Sequence, residues 1–165
     1  MNTVQNLSLA LLALSASPSI AAEPPLAARC EAEIVELHQF LEQWSNAELP
    51  DTDHAYSRFA DVLAESFLLV DADGVLLARQ PVVTAIRGAH GRWQSAPGQI
   101  RIENVQLHHH DGGLALATYE EWHDFPDHSI GRLSSVLFGQ SDSAPNRLEW
   151  LHLHEVWLGG GADGD

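Results

Sequence analysis

Leu148-Glu149-Trp150-Leu151-His152-Leu153-His154-Glu155-Val156-Trp157-Leu158 alternates with period two, the mark of an extended strand. Strict alternation puts Trp150, His152, His154, Val156 and Leu158 on one face and Leu151, Leu153, Glu155 and Trp157 on the other. Both faces then carry large apolar groups, whereas a sheet with one wet face alternates more cleanly. One face is therefore expected to cover helices. The other is expected to meet a second copy of the chain, giving a homodimer with Trp157 and Leu153 near the centre of its interface.

Just upstream, Ser141–Asn146 (SDSAPN) reads as a loop that returns the chain from another strand, Arg132–Gly139. Ile100–His109 and Leu114–Asp124 flank Asp111-Gly112-Gly113 and read as a hairpin. The first half has a different period. Ile34, Leu37, Leu41 and Trp44 recur at spacings of three and four within Glu31–Glu48, which predicts an amphipathic helix with Glu31 and Glu33 in its first turn. Pro50-Asp51-Thr52-Asp53 offers N-caps for a second helix bearing Tyr56, Phe59, Ala60 and Leu63. Ser66–Val70 and Val75–Ala78 are short extended pieces around the turn Asp71-Ala72-Asp73-Gly74. Pro81 suits the first turn of a third helix with Val82, Ala85, Ile86 and Ala89. Three helices followed by a four-strand antiparallel meander is an α+β arrangement.

The chain has 165 residues, enough for one domain with a substantial core. Its formal net charge of -15 repels phosphate backbones and anionic membrane surfaces, so neither nucleic-acid binding nor stable membrane insertion is expected. Cys30 is the single cysteine, which rules out an intrachain disulfide. Leu7–Ala22 (LSLALLALSASPSIAA) is an apolar run ending in small residues, too short to span a bilayer and shaped like an export signal, although Met1–Asn6 lack Lys and Arg. Residues 1–29 are thus expected to be a signal peptide or a disordered leader, with Glu23–Ala28 (EPPLAA) as linker. This makes the protein periplasmic or secreted, the alternative being cytoplasmic. Residues 30–158 form the folded unit and residues 159–165 a flexible Gly-rich tail.

Three stretches carry a family likeness. Arg58–Ala78 (RFADVLAESFLLVDADGVLLA), Gly131–Val136 (GRLSSV) and Leu148–Leu158 resemble segments of the nuclear transport factor 2-like superfamily, in particular its SnoaL-like members of the domain-of-unknown-function 4440 type. The last stretch departs from the pattern, with Leu148 where those members carry tryptophan, and Trp150 two residues on. The resemblance implies a cone: about three N-terminal helices packed on a curved, mainly antiparallel sheet around a pocket. Its members include ligand-binding proteins, oligomerisation domains, isomerases, cyclases and dehydratases, so the fold by itself selects no function.

Candidate site residues follow from strand parity. Arg132 and Ser134 share a face, as do His152 and His154, and antiparallel pairing is expected to bring Arg132 and the histidine pair to one cavity, with Tyr56 nearby. Arg132 suits bidentate recognition of a carboxylate, or an internal salt bridge with Glu120 or Glu121. His152 and His154 are the candidate acid/base groups, or else satisfied core histidines. Tyr119, Trp93 and Trp122 are candidate pocket aromatics, Trp93 at the mouth. His108-His109-His110 reads as an exposed hairpin tip and not as a metal site. No phosphate loop, Gly-x-Ser-x-Gly elbow or His-Glu-x-x-His occurs, so no cofactor is expected. The leading expectation is a pocket for an anionic small molecule. The alternatives are an isomerase, cyclase or dehydratase type of enzyme, or a purely structural dimerisation domain.

Overall fold

The protein is described by a computed structural model covering residues 23–159. The expected export segment and the tail beyond Gly159 lie outside the described residues.

The first helix, α1 (Leu26–Ser45), begins earlier than the period of its apolar stripe indicates. Pro25 stands at its N-cap, where no backbone N–H is needed, and Leu26-Ala27-Ala28-Arg29 are strong helix formers. The prolines therefore end the preceding chain without delaying the helix. Glu31 and Glu33 consequently do not occupy the first turn. Glu33 is fully buried instead, its carboxylate accepting from Arg58, Asn146 Nδ2 and Trp150 Nε1. Four residues of the expected stripe, Ile34, Leu37, Leu41 and Trp44, do face the core.

Helix α2 (Asp53–Ala60) is capped by Thr52, whose hydroxyl accepts from Ala55 N at 3.2 Å. Strand β1 (Leu63–Val70) turns through Asp71–Gly74 into β2 (Leu76–Ala78). In that turn Asp71 Oδ1 accepts from the backbone N–H groups of Asp73 and Val75, and Gly74 takes φ +82°. Helix α3 (Arg79–Gly88) follows, with Pro81 in its first turn. The long strands are β3 (Gln99–Asp111), β4 (Leu114–Asp124), β5 (Ser129–Gln140) and β6 (Leu148–Trp157).

These strands form one mixed six-stranded sheet in the order β2-β1-β6-β5-β4-β3. The expected four-strand meander is extended by β1, which lies parallel to β6, and by β2 at the edge. The helices cover one face. The core between them is centred on Trp44, Trp150, Tyr119, Phe138 and Ile34.

The register of β6 is interrupted once. Leu137 pairs with His152 but Phe138 pairs with Trp150, so Leu151 is an extra residue. A bulge of this kind exchanges the faces of everything beyond it. Trp150 and Leu148 point to the helices, as do Leu153 and Glu155 on the far side of the bulge. His152 and His154, paired with Leu137 and Ser135, are left on the opposite face. The strict alternation expected for 148–158 is therefore corrected, and with it the placing of Leu153 at an outer interface: Leu153 is an inner residue. Trp157 pairs with the inward Arg132 and donates to Asp73 Oδ1, so it too lies away from the centre of the outer face.

Candidate functional site

A cavity of about 220 Å³ lies between the sheet and α1, α2 and α3. Its walls are mainly apolar, with Leu41, Phe59, Phe67, Leu69 and Ile86 among them. One side is charged. Inward positions of adjacent strands supply it: Glu121 and His123 from β4, Arg132 from β5, Glu155 from β6, joined by His38 from α1 and Arg92 from the turn after α3.

Glu121 is the hub of this cluster. It is nearly fully buried, and its Oε1 accepts from Arg132 Nη2 at 2.6 Å while its Oε2 lies 3.3 Å from His38 Nε2. Burial by itself would raise its pKa. The charges of His38 and Arg132, with hydrogen bonds from His123 and His38, outweigh that and hold it well below the usual carboxylate range. His38 Nδ1 lies 2.6 Å from the Ile34 carbonyl, which can only accept, so that nitrogen carries a proton. Its Nε2 faces an ionised carboxylate and carries one as well. Burial pulls the His38 pKa down, but Glu121 overrides it and the net direction is up, as an imidazolium requires.

Arg132 bridges two carboxylates, with Nη1 reaching Glu155 Oε2 at 3.2 Å. The two are held unequally. Glu121 has two histidines as well as the arginine, whereas Glu155 has the single contact. Burial is the largest influence on Glu155 and lifts its pKa to about 7, Arg132 opposing and Glu121 adding to the rise. His123 Nε2 stands 3.0 Å from Arg132 Nη2 and also contacts Glu121 Oε1. One nitrogen can accept from the arginine or donate to the carboxylate, not both, so the state of Glu121 and Arg132 sets its tautomer.

Arg92 is different from every other arginine in the chain. Arg29, Arg58, Arg87, Arg101, Arg132 and Arg147 contact carboxylates, and Arg79 donates to the backbone carbonyls of Leu63 and Ala60. Among the described residues Arg92 has neither kind of partner; its guanidinium packs 5.1 Å from the Trp93 ring centre. Burial, then the like charge of Arg132, press its pKa below the ordinary arginine value. Leaving His123 aside, the cavity holds three cations (His38, Arg92, Arg132) against two carboxylates, and protonating Glu155 leaves two positive charges in excess. In a chain of net charge -15 this is a local reversal of sign.

The structure brings only part of the expected site together. Arg132 lines the cavity, and Ser134 and Tyr119 lie fully buried on the same sheet face, paired across the ladder. The two hydroxyls lie close to one another, and neither has another partner among the described residues. Trp93 is buried at the mouth, edge-on to His123 and Phe125. Tyr56 is a correction: it packs with Trp44 and Phe59 and donates to the Val83 carbonyl, in the core and away from the cavity. His152 and His154 are a second correction, since the β6 bulge keeps both on the sheet face opposite Arg132. Trp122 also points outward, under Arg101. The salt-bridge partner of Arg132 is Glu121, not Glu120, which contacts Asn104 and Trp122 instead. His38, Glu155 and Arg92 were not among the expected residues. For His38 a signal existed: it interrupts the apolar stripe of α1 four residues after Ile34.

Six strands wrapped on three helices around such a cavity define the nuclear transport factor 2-like fold, and solved structures agree. A protein of this type from Pseudomonas aeruginosa, of unknown function, is 25% identical with a TM-score of 0.70, covering 79% of this chain and 99% of that one. The hub of the CaMKII kinase from S. rosetta shares the fold at 11% identity and a TM-score of 0.63, over 83% of this chain and all of that one. Within the superfamily the chain belongs to the family described as sucrose-6-phosphate phosphohydrolase C-terminal, which it matches over residues 30–159. Sucrose-phosphatase 2 of Nicotiana tabacum is 25% identical over 134 residues, 81% of this chain. The chain spans about a third of that relative's length, 32%.

Proposed function

We propose that this domain binds a small organic anion in the cavity, with Arg92 at the mouth and Arg132 on the wall as its anchors. The observation that carries this is Arg92, a guanidinium without an acidic or carbonyl partner among the described residues, on the exposed rim of a mainly apolar cavity in a strongly acidic chain. Apolar walls with a few convergent polar groups are the usual make-up of a small-molecule site. They favour a ligand with an apolar body, such as an aromatic carboxylate, over a bare sugar. The relatives' name makes a sugar phosphate the second class to titrate. An enzymatic version of this reading rests on Glu155 and His123, which line the cavity, and no longer on His152 and His154. A homodimer through the outer sheet face, and export to the periplasm or medium, complete the proposal.

The test is calorimetric titration with benzoate, its neutral counterpart benzamide, and glucose 6-phosphate. Arg92→Met should weaken benzoate by about 1.5–3 kcal/mol, the worth of a charge-assisted hydrogen bond, and leave benzamide unchanged. Beyond its packing on Trp93 the Arg92 side chain makes no ion pair or hydrogen bond among the described residues, and methionine keeps that packing, so the thermal midpoint should move little. Equal losses for benzoate and benzamide would show that the arginine only shapes the mouth. Failure of both anions to bind would end the proposal.

A further inference from the structure

Arg132 is shared between two carboxylates that are not equivalent. Glu121 is fixed by three contacts, Arg132 Nη2 and His123 Nε2 on Oε1 and His38 Nε2 on Oε2. Glu155 meets one guanidinium nitrogen through one oxygen, at 3.2 Å. Beside it, the cross-strand residue Ser134 and the next residue in that row, Tyr119, bury hydroxyls that lie close to one another and have no other partner among the described residues. Buried hydroxyls normally use their full hydrogen-bonding capacity, so a hydroxyl pair with capacity to spare next to a weakly held carboxyl marks a second resting place for it.

We propose that Glu155 is a stand-in for the ligand: an incoming anion takes its place on Arg132 Nη1, and the released carboxyl stays in the cavity as the neutral acid, hydrogen-bonded to Ser134 and Tyr119. This rests on the anion-binding reading and deepens it, because it makes binding proton-coupled. The balance is simple. One anion enters, one proton passes from solvent to the Glu155 carboxylate, and the net charge of the cavity is unchanged. The groups facing Glu155 favour that outcome on balance, with the charge of His38 opposing it. From β5, Arg132 is the cation it loses. From β4, Glu121 repels its charged form, and Tyr119 and His123 offer hydrogen bonds. From α1, His38 is committed to Glu121. Asp71, after β1, adds further negative charge, and Arg92 lies across the cavity. Burial lifts the Glu155 pKa to about 7 even with Arg132 in place, so removing the cation makes the acid form stronger still.

The experiment is calorimetry of benzoate binding to the full chain across about pH 5.5–9, in pairs of buffers with different ionisation heats. Benzoate stays ionised throughout, like any carboxylate with a pKa of about 4. Wild type should take up no proton at the acid end and close to one per benzoate at the alkaline end. Its Kd should rise about tenfold per pH unit above about pH 7.5. Glu155→Gln, which keeps the shape and mimics the neutral acid, should bind with proton uptake abolished and the slope flattened. A slope that survives in Glu155→Gln would assign the proton to His38 or His123 and overturn the inference. So would wild-type binding without proton uptake in the two-buffer measurement, which needs no variant. Either result leaves anion binding intact, whereas absence of benzoate and glucose 6-phosphate binding at every pH ends the reading beneath it.

Discussion

Replacing Glu155 by glutamine should stabilise the protein in alkali. The side chain is 7% exposed, so solvent screening takes little from the argument. Its pKa of about 7 stands above the ordinary 4.5 because the folded protein disfavours its charge, burial first and Glu121 next, against the pull of Arg132. At about 1.4 kcal/mol per pH unit, that rise is worth about 3 kcal/mol. The sign follows from proton binding. Between 4.5 and about 7 the folded state holds more protons on Glu155 than the unfolded chain does, so stability falls as pH rises through this window. Glutamine has no charge to bury. Urea unfolding followed by tryptophan fluorescence should therefore place Glu155→Gln about 2–3 kcal/mol above wild type near pH 8.5, and level with it near pH 4.5. Glu121 and His38, which interact with Glu155, titrate in other windows. Glu121, with its depressed pKa, contributes stability that is lost only in acid. His38, with its raised pKa, contributes stability that is lost as pH rises, in both proteins alike. Destabilisation of the variant in alkali, or the same gain at both pH values, would refute the reasoning. A gain in stability from removing a cavity group is the pattern expected where a site holds charge for a ligand and not for the fold.

Two further outcomes follow from the surface and the leader. On the outer sheet face Leu116, Leu137, His152 and Leu68 form one row across four strands, with Leu133 and Val156 paired nearby. Leu116, Leu68, Leu133 and Val156 are each about 40% exposed or slightly more or less, a contiguous apolar surface that a second copy would cover. Light scattering should find a dimer, which Leu137→Asp converts to monomer with the cavity intact; a wild-type monomer at micromolar concentration would remove the case. Mass spectrometry of protein from its native host should find a start at Ala22 or Glu23, a cut that leaves α1 whole, and intact Met1 would defeat the export proposal.

The sequence by itself determined the order and kind of the elements. The three-and-four spacing of Ile34, Leu37, Leu41 and Trp44, the Thr52 cap, the Asp71–Gly74 turn and the Asp111-Gly112-Gly113 hairpin are local, and local chemistry is written residue by residue. The three stretches that resemble the nuclear transport factor 2-like superfamily were legible for the same reason. Arg132, Ser134 and Tyr119 lie on one sheet face, a parity that holds because β4 and β5 pair without interruption. What only the tertiary structure decided was the parity of β6. Leu151 is no different in type from its neighbours, and nothing in LEWLHLHEVWL marks it as the residue left without a partner. The bulge lies where β6 packs Trp150 beside Phe138 of β5 in the core while pairing with β1 on its other side, a constraint set by strands far apart in sequence. That one unpaired residue moved His152 and His154 out of the cavity and Glu155 into it. His38 and Arg92 were hidden for a related reason: a polar residue on an apolar helical stripe, or a cation in a turn, takes its meaning from Glu121 and Arg132, which the fold alone brings within reach.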